Sequence, residues 1–214
     1  MKVLSQIYLF QKNHKLHEFS LFYHKMSDFI SSLYKYLIFI NMLNIGISNN
    51  NYIINSSEKV KKTNWFIVND DVMGGISNSS IEVNKKNNLI FQGNISLKNN
   101  GGFASCRKEF NFKNLPSFDS FELKIKGDGK TYKLILRTYN SSVYYSVDFK
   151  TNKNKLTTEK IALKKFKPFY RGREITKYEN LKIDKIKLIG FQISDKQEGS
   201  FSLEILSLNT IQSK

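Results

Sequence analysis

Phe121-Glu122-Leu123-Lys124-Ile125-Lys126-Gly127-Asp128-Gly129 decides the fold, because apolar and charged residues alternate strictly until two glycines end the run. A period of two puts Phe121, Leu123 and Ile125 on one face of a β-strand and Glu122, Lys124 and Lys126 on the other. The pattern continues on the C-terminal side. Tyr132, Leu134 and Leu136 share a face, as do Val143, Tyr145, Val147 and Phe149. The short polar turn Tyr139-Asn140-Ser141-Ser142 between these two runs predicts an antiparallel hairpin.

Working outward, strand-like runs recur at residues 81–83, 89–97, 103–110, 159–163, 183–194 and 201–208. No segment of this region carries a long 3.6-residue period, and the two prolines, Pro116 and Pro168, fall in connections. About nine or ten short strands separated by polar turns predict an all-β jelly-roll sandwich over residues 52–210, with residues 1–51 as an N-terminal apolar or helical extension. The 17 Phe and 11 Tyr are expected mostly between the sheets, with the Lys-rich faces in water.

Composition limits the chemistry. All three histidines (His14, His17, His24) precede residue 52, and Cys106 is the single cysteine. The β region therefore lacks the residues of a Ser-His-Asp triad, a His-assisted thiol nucleophile, a His or Cys zinc site and a disulfide. The expectation is a protein that is not an enzyme and holds no cofactor or resident metal. Calcium stays open, since Asp, Asn and carbonyl oxygens are its ligands, although no EF-hand spacing is present.

The net charge of +16 raises nucleic acid as a partner. Only four of the 34 basic residues are Arg, and the lysines are spread along the chain with Asn and Ile rather than gathered in a patch. No specific nucleic-acid binding is expected. Arg107, Arg137, Arg171 and Arg173 stand out against this Lys background as places where a planar, multi-donor guanidinium is wanted.

The apolar run at residues 37–47, preceded by Lys25 and Lys35 and closed by Gly46-Ile47-Ser48, has the layout of a signal peptide, and Met26 offers an alternative start with a short basic leader. A helical prefix is the other reading. The expectation is an exported or membrane-associated protein of bacterial type rather than a mitochondrial one, since the N-terminal 51 residues contain no Arg.

Two Gly-Gly steps organise the candidate site. Asp70 and Asp71 precede Gly74-Gly75, where they could act as acids, ligate a hard cation or cap the loop, with the cap favoured. Asn99-Asn100-Gly101-Gly102 lies between two strand-like runs and predicts a hairpin loop with positive-φ residues. Arg107 is expected either to pair with Asp70 or Asp71, the favoured reading, or to bind a ligand. Gly127-Asp128-Gly129 is a tight turn without the features of a phosphate loop. Arg171 and Arg173, flanking Gly172 after Pro168, are the candidates for contacting a partner or an anionic group.

Several spaced motifs together resemble the complex I intermediate-associated protein 30 family: Trp65 to Ser77, Phe91-Gln92-Gly93, Leu97 to Arg107, Lys126 to Tyr132, Phe169 to Arg173 and Ile189 to Ser194. The resemblance covers about residues 52–210. It implies a galactose-binding-domain-like jelly roll and, for mitochondrial members, a non-enzymatic, chaperone-like role in assembling the membrane arm of respiratory complex I. One departure is that Leu156 and Leu163-Lys164 stand where the family usually carries a Trp and a Leu-Pro pair. The expected partner is a protein, by resemblance a respiratory subunit near a membrane. The alternative is a carbohydrate-binding module of the cell envelope, with Tyr144, Tyr139 or Trp65 stacking on sugar.

Overall fold

The computed structural model describes residues 25–37, 52–55, 64–139 and 141–212. By its internal contacts the chain divides into two units, Met1–Asn49 and Asn50–Lys214. In the first, residues 25–37 form an exposed helix, and no described helix is long and apolar enough to cross a membrane. Beyond Leu37, the apolar run read as a signal sequence lies outside the described residues.

Thirteen strands are described in the second unit, more than the nine or ten expected, because short edge strands add to the long alternating runs. They are β1 (Tyr52–Asn55), β2 (Trp65–Asn69), β3 (Asn78–Val83), β4 (Leu89–Ile95), β5 (Ala104–Glu109), β6 (Ser120–Lys126) and β7 (Thr131–Thr138). There follow β8 (Tyr144–Lys150), β9 (Leu156–Ala162), β10 (Lys167–Tyr170), β11 (Arg173–Glu174), β12 (Ile186–Ile193) and β13 (Gly199–Ile211). One sheet has the order β3-β4-β13-β6-β9, with β1 also on β13, and the other has the order β11-β10-β8-β7-β12-β5-β2. The result is a jelly-roll β-sandwich.

Alternation in the sequence becomes the core between these sheets. Phe91, Phe121, Leu123, Ile125, Leu203 and Ile205 from the first sheet and Cys106, Leu134, Leu136, Ile189 and Phe191 from the second are all fully buried in one cluster. Each such large apolar side chain contributes roughly 1.5–3 kcal/mol by leaving water. The ring of Tyr132 meets that of Phe201 edge-on at 6.4 Å, tying one sheet to the other. In β13 the pairing with β6 shifts register between Ile205 and Ser207, so the buried phase passes from Phe201, Leu203 and Ile205 to Leu208 and Thr210.

Two expectations fail here. The β7–β8 hairpin forms as expected, but the hairpin expected across Asn99-Asn100-Gly101-Gly102 does not. β4 lies between β3 and β13, whereas β5 lies in the other sheet between β12 and β2, so this loop crosses from sheet to sheet. Local alternation on both flanks could not reveal that the partners of each flank come from late in the chain. Trp65 is unavailable as a sugar platform, because it is buried and stacked on Phe191 with ring centroids 6.2 Å apart.

Candidate functional site

The two Gly-Gly steps meet at one carboxylate. Asp70 opens a short 3-10 turn, Asp70–Met73, and its side chain is fully buried. It accepts hydrogen bonds from the Ser77 N–H (3.0 Å), the Ser77 hydroxyl, the Gly102 N–H (2.6 Å) and the Phe103 N–H (3.2 Å). Burial alone would raise its pKa. The bonds from the Ser77 hydroxyl and from the Gly102, Ser77 and Phe103 backbones outweigh that, and hold the carboxyl below its ordinary 3.8.

Each glycine pair divides its labour around Asp70. Gly74 and Gly102 take positive φ, +87° and +128°, as the chain reverses. Gly75 and Gly101 make room: a Cβ on Gly75 would stand 2.4 Å from the Asp70 carboxyl carbon, and one on Gly101 would stand 2.6 Å from Oδ2. Asp70 therefore staples the turn after β2 to the inter-sheet loop before β5. It has no face left for a ligand.

That staple sets two side chains at the rim of a pocket of about 680 Å³ on the outer face of the seven-stranded sheet: Met73 from the turn and Phe103 from the loop. Strand register supplies the floor. Inward-facing Cys106, Leu136, Tyr145 and Phe191 leave Arg107, Arg137, Tyr144 and Gln192 on the opposite face. Ser141 and Ser142 of the β7–β8 turn form one wall, and Tyr170, Arg171 and Gly172 of the β10–β11 turn form another. A hollow of about 250 Å³ adjoins it and shares Met73, Phe103, Tyr144, Gly172 and Gln192; Asn100 lines this second hollow.

Gly190 creates the space that Arg107 fills. It lies in the middle of β12 opposite Arg107, and a Cβ there would meet the Cys106 carbonyl oxygen at 2.4 Å and Arg107 Cγ at 3.0 Å. Arg107 donates from Nε to the Ser105 hydroxyl at 3.1 Å. It does not pair with Asp70 or Asp71 as expected: the Asp70 carboxylate is enclosed by backbone donors and Asp71 is exposed. Burial, with the positive charge of Arg137 beside it, lowers the Arg107 pKa to about 10, still charged at neutral pH.

Arg137 lies diagonally across β12 from Arg107, its guanidinium carbon 5.5 Å from the centre of the Tyr144 ring, which stacks in turn on Phe169 at 5.6 Å. Its Nε is buried without a hydrogen-bond partner, as is the Ser146 hydroxyl on the same face. Farther along the face, Asp148 and Asp195 are both bonded to Lys133, at 2.7 and 2.8 Å. No carboxylate is found among the described residues lining the main pocket.

The other candidates fall elsewhere. Asp128 is absorbed by structure, accepting from the Lys130 N–H (3.0 Å), the Tyr132 hydroxyl (3.0 Å) and the Ser202 N–H (2.9 Å). Gly127 packs on Thr151, and Gly129 donates to the Thr151 hydroxyl at 3.0 Å. Arg171 lies at the pocket with its guanidinium 5.4 Å from the Tyr170 ring, whereas Arg173 is exposed on β11 and Asn99 is exposed in its loop at φ +54°. Burial pushes the Cys106 thiol up to about 12, which leaves it inert as a nucleophile. Among the described residues no three His, Cys, Asp or Glu side chains cluster as metal ligands. Arg137 was legible only as one Arg in a Lys-dominated chain; the additional signal was its place opposite the core phase of Leu134 and Leu136.

Residues 54–205 match the family model described as complex I intermediate-associated protein 30. The chain is 30% identical over 166 residues to an uncharacterized protein of Schizosaccharomyces pombe, covering 67% of this chain and 76% of that one. It is 30% identical to the probable mitochondrial complex I intermediate-associated protein 30 of Caenorhabditis briggsae (72% of this chain, 51% of the relative) and 27% identical to the mitochondrial protein of that name from Mus musculus (69% and 52%). The chain thus spans about half the length of these mitochondrial relatives. Their names overturn the preference for a bacterial-type exported protein over a mitochondrial one: the Arg-free N-terminus weighed against a transit peptide, but the relatives that carry the family's name are named as mitochondrial proteins. Among solved structures, a family 11 carbohydrate-binding module of a Clostridium thermocellum cellulase has the same fold, with a TM-score of 0.55 at 13% identity, covering 76% of this chain and 96% of the module.

Proposed function

The chain belongs to the complex I intermediate-associated protein 30 family, and from that membership we propose that it is a non-catalytic binding module serving the assembly of respiratory complex I. The outer face of the seven-stranded sheet is its binding surface. What carries the reading is the chemistry of the pocket there: three guanidiniums, two tyrosines and an amide line it, and the described lining holds no carboxylate or histidine to move a proton and no activated nucleophile. Such a set can hold and orient a partner group but has no acid and base with which to transform it.

Capture of partners from mildly solubilised mitochondrial membranes by the tagged full chain, read by mass spectrometry, tests this. The expected result is enrichment of complex I subunits that is lost when Arg107 and Arg137 are both changed to Gln. Recovery of no such subunit, or equal recovery by the variant, contradicts it.

A second reading, carbohydrate binding, is favoured by one observation: Tyr144, which lines this pocket, stacks on Phe169, which lines the adjoining hollow, and the pair offers an aromatic surface for a sugar ring. Tyr139, though exposed, lies under Lys187 and outside the pocket. A glycan array that gives no signal removes this reading.

A further inference from the structure

We propose that the outer-face pocket is a receptor for a phosphate monoester, with Arg107 and Arg137 as the oxyanion ligands and the Tyr144–Phe169 stack as the seat for the body that carries the phosphate. The inference rests on the reading of this pocket as the binding surface and names the chemistry that it takes.

Three observations lead to it. First, Arg107 and Arg137 lie diagonally across β12 on the same side of the sheet and line one pocket, close enough for the charge of one to disfavour the charge of the other, and the described lining offers no carboxylate to offset them. Burying like charges side by side is costly, and a bound anion removes that cost. Second, Arg137 Nε is buried with no hydrogen-bond partner, as is the Ser146 hydroxyl on the same face, so the protein itself supplies no acceptor for that N–H. Third, the glycine in mid-strand at position 190 gives up its side chain where Arg107 lies, so the cationic floor is built into the sheet.

Charge selects the ligand class. Two floor guanidiniums, with Arg171 at the mouth, match a group that carries close to two negative charges and three acceptor oxygens, which is a phosphate monoester at neutral pH. A sulfate ester or carboxylate brings one charge only. Met73, Phe103 and the stacked Tyr144 supply an apolar and aromatic surround, so the phosphate sits at the end of a ring-bearing body, and about 680 Å³ leaves room for one.

Calorimetric titration of the full chain with phenyl phosphate, phenyl sulfate and phenol tests the assignment. Phenyl phosphate is expected to bind about 10- to 100-fold more tightly than phenyl sulfate, the span of a charge-assisted contact, with phenol weaker still. Arg137→Gln and Arg107→Gln should each cost a similar factor, and Arg173→Ala should cost nothing. A phosphate-dependent rise in the melting temperature of the unmodified protein gives the same answer without a variant. Equal affinity for phosphate and sulfate esters, or an affinity untouched in the folded Arg variants, overturns the inference. If phenyl phosphate fails while captured complex I subunits are still lost on changing the two arginines, the binding surface stands and the phosphate assignment falls.

Discussion

A single buried carboxylate explains why two distant Gly-Gly steps occur in one chain. Asp70 gathers donors from Ser77, Gly102 and Phe103, and Gly75 and Gly101 must lack a Cβ for it to fit. Asp70→Ala leaves those buried donors unpaired and should cost about 2–4 kcal/mol, read as a lower urea midpoint. An unchanged midpoint would contradict the staple. Because folding lowers its pKa, Asp70 contributes stability fully above the ordinary value of 3.8, and that contribution is lost as pH falls through the lower folded value. Melts at falling pH should therefore show a smaller acid loss in Asp70→Asn than in the unmodified protein. Arg137 should behave in the opposite sense: Arg137→Met removes a buried, unpartnered donor and a like charge beside Arg107, and should stabilise the fold by about 0.5–2 kcal/mol while weakening ligand binding. A loss of stability would mean that Arg137 serves the fold and not a ligand.

Elements place these residues through register. β12 pairs with β5 on one side and β7 on the other, and its Gly190 lies beneath the Arg107 side chain. Gly190→Ala pushes a methyl against the Cys106 carbonyl in the middle of the sheet, and should cost about 1–3 kcal/mol in a denaturant melt. It should also displace Arg107 and weaken anion binding beyond that loss. A neutral result in both assays would deny Gly190 its role. Alternation made β6, β7 and β8 legible from the chain alone, since Phe121, Leu134 and Phe149 sit in phase with buried neighbours. It could not reveal that the Asn99–Gly102 segment crosses between sheets, because the strands that fix β4 and β5 are β13 and β12, and such distant pairings leave no local mark. The Arg107–Asp70 pair failed for a related reason. The sequence places opposite charges near the same glycines, but the backbone donors that occupy Asp70 depend on a loop path that the sequence does not spell out.

For the whole molecule, the sandwich carries the candidate site on one sheet, the seven-stranded one. Three of the four arginines line one pocket, and they come from β5, β7 and the β10–β11 turn, which only the completed fold brings together. Hydrophobic alternation thus encoded the scaffold, while the site depended on loops and on outward-facing residues that contribute little to it. The most direct test is hydrogen–deuterium exchange across the full chain, alone and mixed with the complex I subunits proposed as its partners. The account predicts new protection in the segments around Met73, Phe103 to Arg107, Arg137 to Tyr144 and Tyr170 to Gly172, with the outer face of the six-stranded sheet unchanged. Protection confined to β3, β4 or β9, with none around Arg107 and Arg137, would contradict it.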